Sequence, residues 1–270
     1  MSENYSVIKD ISYGNHERHK FDLFVPKNIE NKKGIILFIH GGGWSDGDKS
    51  IHHPESEFLS SNGFLCATMN YRFVTEEINV FSELDDISCC LKTIKEKCKE
   101  YGFNIEKTIL SGGSAGAHLS LLYAYTRKEN SPVTPVAVCA YCPPVNCWAE
   151  NFLMGIKGEF EDWKYGVLSN CCGAKITKDT LLNETQQKAL EKMSPQIYVS
   201  KECVPTAVFQ GVLDELVPFE HSEIFIDSLT KAGVKNDFLV YENSGHALDK
   251  DQEKTEEAKN IILDYAKKYF

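Results

Sequence analysis

Ser114, Asp214 and His246 stand far apart in this chain, and together they are the residue types that turn a serine hydroxyl into a working nucleophile. The hydroxyl attacks poorly at neutral pH unless an imidazole takes its proton, and the imidazole needs a carboxylate to fix its tautomer and stabilise its charged form. Ser114 lies in Gly112-Gly113-Ser114-Ala115-Gly116, a Gly-x-Ser-x-Gly turn between the apolar Ile109-Leu110 and a run of small residues. Such a turn, set between strand and helix, strains the serine backbone, lifts the hydroxyl clear of the sheet and leaves no room for side chains at the flanking glycines. It also puts the Ala115 amide at a helix N-terminus, where unpaired N–H groups favour a developing anion. The acid candidate is Asp214, in Gln210-Gly211-Val212-Leu213-Asp214-Glu215, just past the end of a predicted strand. Its neighbour Glu215 reads as an ordinary solvated carboxylate. The base candidate is His246, in Ser244-Gly245-His246-Ala247, directly after the last predicted strand.

The chain has eight histidines, so seven others compete with His246. His16, His19, His221 and the His52-His53 pair read as surface residues in polar surroundings. His118 is four residues beyond Ser114 on one helix face, pointing into the fold as a hydrogen-bonded packing residue. His40 precedes Gly41-Gly42-Gly43 and is expected to brace that loop, whose glycines allow the backbone N–H groups to face a ligand. Nucleotide sites fail on detail. The stretch from Gly42 to Ser50 approaches a phosphate loop, but Asp48 stands between Gly47 and Lys49, and Ser111 occupies the first glycine position of a dinucleotide fingerprint. No cofactor and no metal are expected. The ten cysteines include the adjacent pairs Cys89-Cys90 and Cys171-Cys172 and one Cys-x-x-Cys, Cys139 to Cys142, in an apparent buried strand where residues three apart face opposite ways.

Elements that alternate between strand and helix must bring these residues together. Tyr5 to Tyr13 and Lys20 to Val25 read as an antiparallel pair turning at Gly14-Asn15, and Ile35 to Ile39 as a strand buried on both faces. Phe64 to Met69, Thr108 to Ser111, Val136 to Tyr141, Pro205 to Phe209 and Asp237 to Tyr241 complete the strands. Helices are expected over 82–100, where Leu84, Ile87, Leu91, Ile94 and Cys98 share a face, and over 115–126, 218–232 and 249–270. This predicts a mostly parallel central sheet with helices on both faces, in a single α/β domain over residues 1–270. From Asn146 to Met193 the alternation breaks, and Trp148, Phe152, Met154, Trp163 and Tyr165 occur among acidic residues. That segment reads as a cap or lid over the strand ends, or as a helical excursion packed elsewhere on the domain. The 270 residues are 42% hydrophobic, enough for a large core, and the formal net charge of −10 argues against nucleic acid or an anionic membrane surface as a partner. The start, Met1 to Tyr5, lacks the basic and apolar runs of a signal peptide, so a cytoplasmic location with free thiols is expected.

The order serine, acid, histidine is that of the α/β-hydrolases. The chain resembles that superfamily over nearly its whole length, and within it the esterase and lipase branch related to hormone-sensitive lipase and to bacterial feruloyl and acetylxylan esterase domains. The resemblance rests on His40-Gly41-Gly42-Gly43-Trp44, Asn70-Tyr71-Arg72, Gly112 to Gly116 with His118-Leu119, Asp214 to Pro218, and Gly245-His246. It implies the α/β-hydrolase fold, a catalytic triad of Ser114, Asp214 and His246, and an oxyanion hole built from the N–H groups of Gly42, Gly43 and Ala115. Ala117 departs from the pattern, since many relatives have a glycine there. The expected activity is hydrolysis of a small soluble ester, short-acyl and including acetyl or feruloyl esters of carbohydrates, through an acyl-enzyme. An arylformamidase-like amide hydrolase and a catalytically silent binding module of the same fold are the alternatives.

Overall fold

The computed structural model describes residues 4–29, 33–148, 160–181 and 183–270. Eight strands form one sheet, in the order β1-β2-β4-β3-β5-β6-β7-β8. β1 (Tyr5–Ser12) and β2 (Lys20–Pro26) are antiparallel, and β2 is antiparallel to β4 (Cys66–Met69). From β4 onward, β3 (Gly34–Ile39), β5 (Lys107–Gly113), β6 (Thr134–Tyr141), β7 (Thr206–Gly211) and β8 (Asn236–Tyr241) run parallel. This is the α/β-hydrolase fold.

Residue choice explains the layering. Every residue of β3 is buried, because helices cover both of its faces. Ile35, Leu37 and Ile39 join one core while Ile36 and Phe38 join the other. The first core takes the apolar faces of α2 (Val80–Lys99), α3 (Ala115–Thr126) and α6 (Phe219–Lys231). The second takes those of α1 (His53–Ser61) and α7 (Gln252–Tyr269). Helix α3 is buried on nearly all sides and accordingly mostly apolar, whereas α2 shows a single apolar stripe.

One region differs from the expectations. Helix α1 replaces the polar loop expected around His52-His53; its sequence, His-Pro-Glu-Ser-Glu-Phe-Leu-Ser-Ser, carries little apolar periodicity. Tertiary packing holds it instead, through fully buried Ser56, Leu59 and Ser60, with the Ser60 hydroxyl donating to the Phe64 carbonyl at 3.1 Å. The segment 146–193 contains α4 (Phe160–Cys172) and α5 (Glu184–Lys192). Of the residues singled out there, Phe152 and Met154 lie outside the described residues, as do the neighbouring acidic residues Glu150 and Glu159 and the side chains of Glu161 and Asp162.

Candidate active site

Strand β5 ends at Gly113, paired with Tyr141, and the chain turns at Ser114 directly into α3. Ser114 has φ 52° and ψ −117°, a left-handed conformation that costs a non-glycine residue about 1–3 kcal/mol and persists only where its surroundings enforce it. They do: the Ser114 amide donates to the Tyr141 carbonyl at 2.8 Å, and its carbonyl accepts from the His118 amide at 2.9 Å. A Cβ at Gly112 or Gly116 would overlap the Ile39 carbonyl at the end of β3, so these two glycines let helix and strand close on each other. Ala115, fully buried, is the first residue of α3.

Asp214 and His246 come from loops after β7 and β8, neighbouring parallel strands of which β7 pairs with β6. His246 Nδ1 is 2.8 Å from Asp214 Oδ2. Asp214 Oδ1 accepts from the amides of Leu216 and Val217 at 2.9 and 2.8 Å, while Gln210 Nε2 donates to Oδ2 at 2.8 Å. Burial pushes this carboxyl up, but the hydrogen bond and charge of His246, together with the two amides, more than reverse that and hold it below the ordinary carboxylate range. With Nδ1 committed to Asp214, Nε2 is the nitrogen left to exchange a proton. Glu215 is exposed and touches the loop rather than the ring, its Oε2 lying 3.4 Å from the His246 amide.

The glycine loop is held from behind. His40 is fully buried; its Nδ1 lies 2.7 Å from the Gly41 carbonyl, its Nε2 lies 3.1 Å from Arg18, and its ring stacks on Tyr71. The Tyr71 hydroxyl donates to the His40 carbonyl at 3.0 Å, and Asn70 Oδ1 accepts from the Lys49 amide at 2.6 Å. Arg72 is tied to Asp86 at 2.7 Å. Gly42 and Gly43 take φ +116° and +57°, and among the described residues their amides donate to no carbonyl. A second brace joins this loop to α3. Trp44 Nε1 donates to His118 Nδ1 at 3.1 Å, which leaves Nε2–H to donate to the Met193 carbonyl at 2.6 Å. Only a neutral ring makes both bonds, and full burial correspondingly lowers the His118 pKa to about 4.

Two pockets meet at Ser114. The larger, about 820 Å³, is lined by Gly42, Gly43, His246, Tyr141, His52 and Glu55 among others. The smaller, about 100 Å³, is walled by Trp44, Pro144, Val167, Leu168 and Val217, with Lys164 its one charged contributor. Trp163 of α4 lines both, and its ring stands 2.8 Å from where a Gly43 Cβ would be. Thus Ser114, His246, Gly42 and Gly43 share one cavity, with Asp214 behind His246 and Ala115 beneath Ser114.

Several histidines are corrected by the structure. His52, which ends the short turn before α1, is 7% exposed and lines the large cavity, while His53, the first residue of α1, bonds Asp22 of β2 at 3.0 Å. His221 is 3% exposed, packed at the start of α6, and the His19 ring is drawn in against Asp86 at 3.2 Å. Cys142 was also unforeseen as a neighbour of the site. It follows β6 at φ 46°, and its sulfur lies within 4.8 Å of the Asp214 and His246 ligand atoms. Only the broken alternation after Tyr141-Cys142-Pro143-Pro144 hints at that turn in the sequence.

Residues 21–229 match the model of the BD-FAE family. A probable isoprenylcysteine alpha-carbonyl methylesterase of Arabidopsis thaliana is 23% identical over 89% of the chain and 51% of its own length. The probable carboxylic ester hydrolase LipM of Mycobacterium tuberculosis is 25% identical over 84% of the chain and 52% of its own length. The chain therefore spans about half the length of these curated relatives. Among solved structures, an inhibited esterase B from Lactobacillus rhamnosis superposes with a TM-score of 0.76 at 18% identity, covering 98% of this chain and 88% of that one. A truncated carbohydrate esterase from gut microbiota gives 0.72 at 18% identity, covering 98% and 96%.

Proposed function

The chain belongs to the BD-FAE family, and from that premise we propose that it is a serine carboxylic-ester hydrolase acting on small soluble esters through an acyl-enzyme. The observation that carries the reading is the 2.8 Å bond between His246 and Asp214 beside the cavity that Ser114 and His246 both line. In the first half-reaction His246 Nε2 takes the Ser114 proton as the hydroxyl oxygen attacks the ester carbonyl. The amides of Gly42, Gly43 and Ala115 hold the resulting oxyanion. His246 then returns the proton to the departing alcohol. In the second half-reaction a water, deprotonated by the same ring, releases the acid. Asp214 stays ionised throughout and stabilises the imidazolium.

The pocket of about 100 Å³ suits an acetyl to butyryl chain, and the larger cavity takes the alcohol part. Residues 146–193 act in this reading as a cap, with Trp163 dividing the two pockets. Among the described residues no helix is long and apolar enough to cross a membrane.

The test is covalent labelling with a fluorophosphonate together with hydrolysis of p-nitrophenyl acetate and of N-formylkynurenine. Labelling of the wild type but not of Ser114→Ala, with the ester cleaved faster than the formamide, is the expected result. A wild-type protein that takes no label and cleaves neither compound refutes the reading.

A further inference from the structure

The proposed reaction uses only part of the lining of the large cavity. His52 and Glu55 also line it, at the junction between the short turn Lys49–His52 and the first turn of α1. His52 Nδ1 and Glu55 Oε2 are 3.5 Å apart, a charge contact without hydrogen-bond geometry. Both ring nitrogens of His52 and Oε2 of Glu55 are buried and, among the described residues, have no hydrogen-bond partner. Nδ1 and Oε2 face each other, so this pair holds the Glu55 carboxylate in place, and the 19% of the Glu55 side chain that stays exposed is the part open to the cavity. Packing fixes the ring in place: it stacks on Phe38 with centroids 5.3 Å apart, and Nε2 lies 3.8 Å from where a Gly113 Cβ would be, one residue before the nucleophile.

The surroundings say what would pair with that carboxylate. Burial pushes the Glu55 carboxyl up, but contact with His52 and the charges of His52 and Lys259 hold it below its ordinary range, so an anion is kept there at neutral pH. Asp46 adds a second carboxylate to the lining, which contains no lysine and no arginine among the described residues. Lys259 is engaged by Glu256 at 2.7 Å. Tyr141, Trp163 and Tyr241 supply aromatic surface around the same space. An anion facing an aromatic-lined cavity without a resident cation matches a protonated amine, which offers both charge and a donor hydrogen.

We propose that His52 and Glu55 form a specificity subsite for a protonated amine carried on the alcohol part of the ester, within one residue's reach of Ser114. This rests on the ester-hydrolase reading. Glu55 binds the ammonium hydrogen, and His52 orients Glu55 and closes the wall behind it.

The experiment compares kcat/KM for 2-(dimethylamino)ethyl butyrate, its carbon isostere 3-methylbutyl butyrate and 2-hydroxyethyl butyrate, in wild type, Glu55→Gln and His52→Gln. The expected result is a preference of about tenfold or more for the amine over the isostere in the wild type, which weakens with salt and disappears in Glu55→Gln. His52→Gln reduces it partly. Equal rates in the wild type, a hydroxyl ester preferred to the amine, or an equal loss on both esters in Glu55→Gln would each overturn the subsite. Calorimetric titration of Ser114→Ala with the aminoester needs no turnover, and expects binding that Glu55→Gln removes. Binding there without hydrolysis by the wild type would sink the ester reading alone. Absent binding in Ser114→Ala would sink the subsite.

Discussion

The two pockets that meet at Ser114 are built on opposite principles. The smaller is walled by Trp44, Val167, Leu168 and Val217 and owes its shape to packing, so it discriminates by volume. The larger carries Asp46, Glu55, His52 and His246 and is eight times as large by volume (about 820 against about 100 Å³), so it discriminates by charge and hydrogen bonding. In the proposed reaction the difference would let a single serine be strict about one half of an ester and chemically selective about the other. An apolar wall separates chains by roughly 1–3 kcal/mol per methylene, whereas an unpaired polar group penalises any partner that fails to bond it.

The most severe way to break the comparison is to remove what the pockets share. Ser114→Ala is expected to lower kcat by about 10⁴-fold or more on every ester while the protein stays folded. A folded variant keeping a tenth of the wild-type rate would take Ser114 out of the mechanism. Next in size, Asp214→Asn keeps the shape of both pockets but removes the charge that sets the His246 tautomer, for a loss on the order of 10⁴. Glu215→Gln, exposed and touching only the loop, is expected to stay within about threefold of wild type. Reversed outcomes would move the acid by one residue.

A smaller effect sharpens the contrast. Wild-type kcat/KM on p-nitrophenyl esters should peak between two and four carbons and fall by eight, because the small pocket has no room for the added methylenes. Trp163→Ala removes the partition that lines both pockets and is expected to raise the eight-carbon rate relative to the four-carbon rate by about tenfold. A maximum at twelve carbons or more in the wild type would contradict the small-pocket reading.

The smallest effect is on stability. The neutral His118 ring ties the Trp44 side of the small pocket to α3, and burial holds its folded pKa at about 4 against an ordinary value near 6.5. The unfolded chain therefore binds the extra proton first. This contribution is fully present above pH 6.5 and is lost as pH falls toward 4, by at most about 3 kcal/mol. His40, likewise lowered to about 4 by burial, acts in the same window. His118→Gln should lower Tm at pH 7.5 yet flatten its decline between pH 6.5 and 4. An unchanged pH slope would show that His118 does not titrate on unfolding.

Much of this was legible in the chain alone. Strand β3 announces itself because burial on both faces demands an unbroken apolar run, and β5, β6 and β7 show shorter apolar cores of the same kind. The elbow around Ser114 is equally plain, since a residue held at φ 52° between close-packed strand and helix needs glycine on both sides. Each of these signals is local: the physical requirement falls on residues adjacent in sequence, and composition records it there.

Helix α1 left no such record. Its polar residues are stabilised by partners on β2 and in the loop before β4, and with it went the placement of His52 and Glu55. Pattern also misjudged His221, which reads as polar surface and is buried, and His19, which is drawn in part-buried against Asp86 of α2. Nor could spacing tell that Cys142 would lie beside Asp214 and His246, or that Trp163 would stand between two pockets. The sequence by itself determined the fold class and singled out the serine, acid and histidine proposed to act together, because strand alternation and turn chemistry constrain neighbours along the chain. Only the tertiary structure decided the 2.8 Å Asp214–His246 bond, the division of the site and the charge of its larger half. Those depend on distances between residues dozens of positions apart, which folding sets and local pattern does not encode.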